Sequence, residues 1–384
     1  MSPAEGGGRD DATVGELLRP DLRGSTPYGA PQLDVPVALN TNENAYAVPQ
    51  VVVDAVVEAV AGVAQELNRY PDREFTRLRR MLASYLTTVT GVAVGEAQVW
   101  AGNGSNEVLL HLLQAFGGPG RRALGFTPAY SMHPVITRTV GTQWVDGLRG
   151  VQGQGEFDLD ADSAVRQVLQ HDPQLVFLCS PNNPTGTAVG LDVVEAVYEA
   201  APRALVVVDE AYAEFARPGT PSALTLLEGR ERLVVTRTMS KAFALAGTRL
   251  GYLAAAPAVT DALRLVRMPY HLSAPTQAIA CAALDHVDAL LATVEQIKAQ
   301  RDRIVDELTE LGFRPVPSDA NFVLFGGVAD ETALWTALLD HGVLVRDVGL
   351  RHHLRVTAGT PEETGTFLAA LRALTPTHLQ EQPA

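Results

Sequence analysis

The sequence has few cysteines and a deficit of basic residues. Two cysteines in 384 residues are too few for a disulfide framework, which is the usage expected in a reducing, cytoplasmic compartment. Lys and Arg number 30 against 44 Asp and Glu, giving a formal net charge of -14. The chain therefore lacks the basic surface that binding to nucleic acid or to an anionic membrane requires. A small anionic substrate held by a few local arginines stays compatible with this charge.

Long uninterrupted apolar runs are also missing. The N-terminal segment MSPAEGGGRDD lacks the apolar stretch of a secretory signal. The run VVVDAVVEAVAGVA is interrupted by Asp54 and Glu58 and falls short of the ~20 apolar residues of a membrane-spanning helix. With 46% hydrophobic and 19% charged residues, we expect an intracellular globular protein. At roughly 100–200 residues per domain, the length predicts two domains.

Three short β-branched runs occupy the middle of the chain, and each ends in a polar cluster. They are LVFLCS (175–180), ALVVVDEAY (204–212) and RLVVTRTMSK (232–241). They start roughly 30 residues apart, as in a strand–helix–strand unit, and GLDVVEAVYEAA between the first two has helical spacing. This pattern predicts buried strands of a parallel sheet in an α/β fold. Since ligands bind beyond the carboxyl ends of such strands, the polar clusters are expected to share one site.

The C-terminal third has a different pattern. Residues 275–311 have the alternating charges of long helices. The segments ANFVLFG, GVLVRDVG and HLRVTAGT that follow are interpreted as strands of a second, smaller domain.

The cluster Thr238-Met239-Ser240-Lys241 follows one apolar strand, and Asp209 ends the preceding one. A carboxylate after the run LVVV is costly to bury unless it has a partner. Lys241 could be a surface residue, or it could form a structural ion pair with Asp209. Alternatively, the carboxylate keeps a ring nitrogen protonated while the lysine forms a Schiff base with the ring's aldehyde, as in pyridoxal phosphate sites.

A candidate phosphate site lies earlier in the chain. The segment GNGSNE (102–107) precedes the apolar run VLLHLLQAF, which has the pattern of a helix. Backbone N–H groups and the dipole at a helix start favour a phosphate. The rival interpretation is the dinucleotide fingerprint GxGxxG, but Glu107 occupies its third glycine position and prevents the close packing that the motif needs.

Together these motifs resemble a known family. SPNNPTG (180–186), DEAY (209–212) and TMSKAF (238–243), with Arg249 after them, are similar to the fold-type I pyridoxal 5'-phosphate (PLP)-dependent aminotransferases. TPY (26–28), NTNEN (40–44), NRYP (68–71), SDANF (318–322) and LRVTAGT (354–360) narrow the resemblance to the histidinol-phosphate aminotransferases of the class II family. The matching blocks run in family order from about residue 17 to residue 360.

The resemblance implies a two-domain architecture. Residues 1–45 would form an N-terminal arm or small-domain segment, and residues 46–274 a large PLP-binding domain with a mostly parallel central sheet flanked by helices. Residues 275–384 would provide the connecting helix and a smaller α+β domain.

The resemblance also implies roles for individual residues around the cofactor. Lys241 would be the Schiff-base lysine and the base for proton transfer, and Asp209 the partner of the pyridinium nitrogen. Asn183 and Tyr212 would contact the ring's phenolic oxygen, with Tyr130 stacked on the ring. The phosphate would be held by Ser105, Asn106, Glu107, Ser240 and Arg249, with Thr238 nearby and Tyr70 reaching it from the neighbouring subunit. This last contact implies a homodimer with shared sites.

Four further residues are expected to bind substrate together with Asn183. By themselves, Arg346 and Arg355 could be solvated residues at a sheet edge. The resemblance implies that Arg355 receives glutamate's α-carboxylate and that both arginines contact the phosphate of histidinol phosphate. Forked guanidinium groups fit both anions. Asn321 matches a position beside the carboxylate site, and Tyr28 a substrate-binding position.

The implied reaction is PLP-dependent transamination of L-histidinol phosphate with 2-oxoglutarate, giving imidazole-acetol phosphate and L-glutamate in histidine biosynthesis. The alternatives are an aminotransferase for aromatic amino acids, a threonine-phosphate decarboxylase, and a non-catalytic PLP-binding regulator, which would usually carry a helix-turn-helix domain ahead of the PLP domain. Asn106 departs from the usual aspartate of the family. We propose no metal site.

Overall fold

The computed structural model describes residues 13–24, 26–27, 29–150 and 157–380. The chain forms two compact units, Met1–Gln32 and Leu33–Ala384. In the described part of the first unit, helix α1 (Val14–Leu17) begins after Thr13, whose backbone N–H and hydroxyl both donate to the Glu16 carboxylate. The carboxylate thereby satisfies the Thr13 N–H at the start of a short helix.

Among the described residues, the remaining α-helices and the strands belong to the second unit. Its helices are α2 (Gln50–Ala64), α3 (Thr76–Thr90), α4 (Ser105–Phe116), α5 (Met132–Thr139), α6 (Ala161–His171), α7 (Leu191–Ala200), α8 (Pro257–Val266), α9 (Ala274–Asp285), α10 (Val287–Leu291), α11 (Val294–Glu310), α12 (Glu331–Asp340) and α13 (Pro361–His378). Its strands are β1 (Val37–Ala38), β2 (Val99–Asn103), β3 (Arg122–Thr127), β4 (Gln143–Leu148), β5 (Leu175–Cys179), β6 (Leu205–Asp209), β7 (Leu233–Thr238), β8 (Leu250–Ala255), β9 (Arg314–Pro315), β10 (Phe322–Gly326), β11 (Val343–Leu344) and β12 (Leu354–Thr357).

A seven-stranded sheet dominates the described part of this unit, in the order β2-β8-β7-β6-β5-β3-β4. Strands β4, β3, β5, β6 and β7 are parallel to one another, and β8 is antiparallel to both of its neighbours. The prediction that the three central runs form neighbouring parallel strands is confirmed. The carboxyl ends of β2, β3, β5, β6 and β7 consequently lie at one edge of the sheet.

Burial explains why the central strands are so apolar. Every residue of β5, β6, β7 and β8 is buried, which requires apolar side chains on both faces of the sheet. Each strand stops where its polar cluster begins, at Cys179, Asp209 and Thr238. The polar residues that follow therefore lie in loops beyond the sheet, where they are able to surround a ligand.

The C-terminal segments form smaller sheets. Strands β9, β10 and β12 form a three-stranded antiparallel sheet, and β11 pairs in parallel with β1. The prediction for GVLVRDVG is wrong in extent, since only Val343–Leu344 is a strand. Arg346 forms an isolated bridge to Arg355, and the chain then turns where the Asp347 carboxylate accepts the backbone N–H of Gly349, which has φ +72°. The domain boundaries expected from the sequence stay a prediction.

The segment predicted as long helices consists of three. Within the described residues, no single helix is both long and apolar enough to cross a membrane. The one pair of consecutive helical segments that reaches the necessary length and composition there, Ala274–Asp285 with Val287–Glu310, is bent by 79°.

Candidate active site

A cavity lies at the sheet edge where the polar clusters converge. Its lining residues are Ser105, Asn106, Tyr130, Cys179, Asn183, Asp209, Ala211, Tyr212, Thr238, Ser240, Lys241 and Arg249. All of them except Cys179 and Ala211 are residues that the sequence predicted for a cofactor site. They come from five separate segments of the chain, at strand ends, in loops and at the start of α4, so the fold brings together residues that lie up to about 140 positions apart in the sequence.

One end of the cavity is suited to an anion. Ser105 and Asn106 lie in the first turn of α4, where backbone N–H groups lack intrahelical acceptors. Arg249 lies against Gly104, whose φ of +81° and missing Cβ allow its guanidinium to come close. Across the cavity, the Thr238 hydroxyl donates to Ser240 Oγ at 3.0 Å. This end therefore combines a helix start, a hydroxyl group and a guanidinium.

Two predicted residues of the helix start have partners of their own. The Asn106 Oδ1 accepts a hydrogen bond from the Tyr130 hydroxyl at 3.3 Å, which links the helix to the expected stacking residue. The Glu107 carboxylate accepts the backbone N–H of Asn103 at 2.5 Å and its Nδ2 at 2.8 Å, and Glu107 does not line the cavity. Any contact of Glu107 with a cofactor stays a prediction.

Asp209 also lines the cavity and is 1% exposed. Its Oδ2 lies 3.0 Å from His133 Nε2, and its Oδ1 accepts the Thr236 hydroxyl at 3.1 Å. The His133 ring also stacks on Phe177, with the ring centroids 4.9 Å apart. Sequence reasoning missed His133, whose only signal was its position three residues after Tyr130.

Lys241 does not form the ion pair that was the structural alternative for it. Its Nζ donates to the backbone oxygen of Thr41 at 2.9 Å, while the carboxylate of Asp209 has the partners given above. Burial, together with the positive charges of Arg355 and Arg249 and against the negative charge of Glu43, lowers the pKa of Lys241 to about 8. A substantial fraction of the amine is therefore neutral near physiological pH, as a nucleophile requires.

Tyr212 connects the cavity to the expected substrate residues. Asn183 Nδ2 donates to the Tyr212 hydroxyl at 3.4 Å, and Arg355 Nη1 donates to Asn183 Oδ1 at 2.5 Å. Burial raises the pKa of Tyr212 to about 12, so its hydroxyl keeps its proton over the physiological range. Arg355 Nη2 also donates to the backbone oxygen of Asn40 at 2.8 Å.

The other predicted substrate residues lie around Arg355. Arg346 and Arg355 exchange backbone hydrogen bonds of 2.9 Å as an antiparallel bridge, which places their side chains on the same side of the ladder. Asn321 is fully buried, and its Nδ2 donates to the backbone oxygen of Asn42 at 3.1 Å. Tyr28 lies outside the described residues.

Tyr70 lies away from the cavity. It is 80% exposed and stacks on Tyr270, with ring centroids 4.4 Å apart. Within one chain it is therefore placed on the surface, as a residue directed to a neighbouring subunit would be.

Comparisons with known proteins agree with this geometry. The sequence model of the family described as aminotransferase class I and II matches residues 35–371. The chain is 62% identical over 359 residues to the histidinol-phosphate aminotransferase of Paenarthrobacter aurescens, covering 93% of this chain and 94% of the relative. It is 61% identical over 362 residues to that of Frankia casuarinae, covering 93% and 90%.

Among solved structures, the histidinol-phosphate aminotransferase of Sinorhizobium meliloti in complex with pyridoxal-5'-phosphate superimposes with a TM-score of 0.78 at 25% identity, covering 89% of this chain and 92% of that one. The expected fold class, a fold-type I α/β transferase with a mostly parallel central sheet, is confirmed. The chain belongs to the class I and II aminotransferases.

Proposed function

We propose that the protein transaminates L-histidinol phosphate with 2-oxoglutarate, using pyridoxal 5'-phosphate, to give imidazole-acetol phosphate and L-glutamate. One observation carries the proposal: a half-buried lysine with a lowered pKa, a buried carboxylate and a helix start suited to an anion line the same cavity. The names of relatives with more than 60% identity over most of both chains support the substrate.

The side chains around the cavity fit this cofactor. The amides of Ser105 and Asn106, with Ser240 and Arg249, would hold the phosphate, because these are the donors that a phosphate prefers. Asp209 would hold the ring nitrogen at the other end. When bound, the cofactor supplies an aldehyde that reacts with amines and a ring that accepts electrons from the substrate's Cα.

The residues of this chain then perform the proton chemistry. Lys241, once neutral, takes the α-proton of the substrate on its Nζ and returns it to the neighbouring carbon. His133 and Thr236 hold the carboxylate of Asp209 in place, and this carboxylate would keep a proton on the ring nitrogen. Tyr212 would donate to the phenolic oxygen of the ring. Arg355 would bind the carboxylate of glutamate, because its guanidinium donates a hydrogen bond to Asn183, which lines the cavity.

The substrate is tested by comparing turnover of histidinol phosphate, phenylalanine and threonine phosphate with 2-oxoglutarate as acceptor. We expect kcat/KM for histidinol phosphate to exceed that for phenylalanine by about tenfold to a hundredfold, because the carboxylate of phenylalanine would bind Arg355 but leave Arg346 without an anion. A preference for phenylalanine would indicate the aromatic alternative. Release of carbon dioxide from threonine phosphate would indicate the decarboxylase.

Arg346 is expected to contribute to the turnover of histidinol phosphate but much less to that of glutamate. In Arg346→Ala, kcat/KM for histidinol phosphate should fall about tenfold to a hundredfold, the effect of losing one hydrogen bond to a charged group. Turnover of glutamate should fall much less, since the substitution keeps the backbone bridge to Arg355. Arg346→Lys, which retains the charge, should recover part of the loss. Equal losses for both substrates in steady-state kinetics would contradict a phosphate-specific role.

We further propose that the protein works as a homodimer in which Tyr70 reaches the cofactor phosphate of the neighbouring subunit. Tyr70, Leu265 and Met268 are exposed apolar residues, and Tyr70 lies stacked on Tyr270 rather than packed into the core. A monomeric mass for the cofactor-loaded protein in sedimentation would contradict this. The cytoplasmic location suggested by the two cysteines likewise stays a prediction.

A further inference from the structure

The direction in which the Tyr212 hydroxyl points its proton determines whether Tyr212 is able to donate a hydrogen bond to a ligand. A phenol oxygen has one proton to donate and two positions at which it accepts. If neighbouring groups accept the proton, Tyr212 has none to give to a ligand. If neighbouring groups occupy the accepting positions instead, the proton is left for the cavity that Tyr212 lines.

The orientation of the Asn183 amide follows from Arg355. A guanidinium only donates hydrogen bonds, so the atom of Asn183 that lies 2.5 Å from Arg355 Nη1 is the oxygen. The nitrogen of the same amide then faces the Tyr212 hydroxyl, at 3.4 Å. Asn183 therefore donates to Tyr212 and cannot take its proton.

A second amide reaches the same oxygen from Asn42. Asn42 Nδ2 lies 3.0 Å from the Tyr212 hydroxyl. The Thr357 hydroxyl accepts the backbone N–H of Asn42 at 3.1 Å and donates to Asn42 Oδ1 at 3.0 Å. With the amide reversed, this buried hydroxyl proton would have no acceptor among the described residues, which is costly. The Asn42 side chain is thus also a donor to Tyr212.

The backbone at Asn42 is held for this contact. Asn42 is 1% exposed and has φ +57°, in the left-handed region that asparagine tolerates better than most residues. Its own backbone oxygen accepts Asn321 Nδ2 at 3.1 Å. The two residues before it contact the site as well, since the oxygen of Thr41 accepts Lys241 Nζ and that of Asn40 accepts Arg355 Nη2.

We propose that Asn42 is a positioning residue that, together with Asn183, occupies both accepting positions of the Tyr212 hydroxyl and so directs its proton into the cavity. The proposal rests on the proposed cofactor site, where that proton would meet the phenolic oxygen of the ring. The titratable and charged groups around Tyr212 are Arg355, Asp209, Cys179 and Lys241, and the test leaves all of them unchanged.

Two substitutions of Asn42 keep the left-handed backbone accessible. Asn42→Asp keeps the shape of the side chain but places a hydrogen-bond acceptor beside the Tyr212 hydroxyl. The substitution should therefore draw the phenol proton away from the cavity. Asn42→Gly removes the donor without adding charge. A hydrogen bond donated to the phenolic oxygen makes that oxygen a weaker acceptor. The oxygen then stabilises a proton on the Lys241 nitrogen less strongly. Losing the donor should therefore raise the pH at which the absorbance of the PLP-loaded protein changes.

We expect the midpoint of this spectral titration to rise by about one pH unit in Asn42→Asp and by about half a unit in Asn42→Gly, the size of effect of one hydrogen bond to an ionised group. The dissociation constant of PLP from the apoprotein, measured by fluorescence, should rise in parallel. Asn44→Ala is the matched control. It removes a neighbouring amide that donates to the oxygens of Ala242 and Thr293 and has no bond to Tyr212, so its midpoint should stay that of the wild type.

Midpoints that move by less than about 0.2 pH unit in both folded Asn42 variants would overturn the proposal. An equal shift in Asn44→Ala would overturn it too, since rigidity of the segment would then be the cause. If the Asn42 variants do not fold, Thr357→Val decides: it frees the amide to reverse, and an unchanged midpoint would refute the inference. A wild-type protein with no PLP-dependent absorbance would instead refute the proposed cofactor site.

Discussion

Lys241→Ala is expected to lose turnover by about four orders of magnitude or more, together with the absorbance of the bound cofactor. The lysine performs two tasks at once, as nucleophile toward the aldehyde and as the base that moves the α-proton. No other amine lines the cavity among the described residues, so no neighbouring side chain is able to substitute for it.

The matched control is Lys241→Arg, which keeps the positive charge but does not release a proton near neutral pH. Both variants should be equally inactive in single-turnover assays with histidinol phosphate. In the wild-type apoprotein, the rate of PLP capture should rise as the pH rises through about 8, because the neutral form of the amine is the reactive one. Turnover retained by Lys241→Arg would contradict the role as a base.

The central sheet could be predicted from the sequence because the pattern that indicates each strand lies within a few consecutive residues. A strand buried on both faces favours consecutive apolar residues, and β5, β6 and β7 each begin with at least three of them. Parallel pairing then places the residues after each strand at one edge. Asp209 and Lys241 could for this reason be expected in one site before any contact between elements was known.

The contacts that orient these side chains were not predictable in the same way. His133 reaches Asp209 across 76 positions in the chain, and Asn42 reaches Tyr212 across 170. His133 stands in no motif, and Asn42 lies in the NTNEN block (40–44) without a role implied for its side chain, since what defines the role of each is a partner from another element. Glu107 is a motif position whose carboxylate partner, Asn103, was likewise not visible in the sequence, and its predicted contact with the cofactor stays a prediction.

Loss of the Asp209 carboxylate is the second change that we expect to lower the catalytic rate severely. In Asp209→Asn, kcat should fall about 10²- to 10⁴-fold, because removing one member of a buried charged network costs about 3–5 kcal/mol and each 1.36 kcal/mol is about tenfold in rate. An amide at this position keeps the shape, but it no longer stabilises a proton on the ring nitrogen. The change is measured as single-turnover rates with saturating PLP, so that weaker cofactor binding does not enter the result.

His133 provides the test of how that carboxylate works. His133→Leu removes the group 3.0 Å from Asp209 Oδ2 and should lower kcat about fivefold to a hundredfold, the cost of leaving a buried acceptor without its donor. His133→Gln keeps an amide donor and should lose less. If Leu and Gln at position 133 lowered the rate equally, packing against Phe177 rather than the hydrogen bond to Asp209 would be the function of His133. A graded loss, with Asp209→Asn the most severe, is the result that a carboxylate held in place to protonate the ring requires.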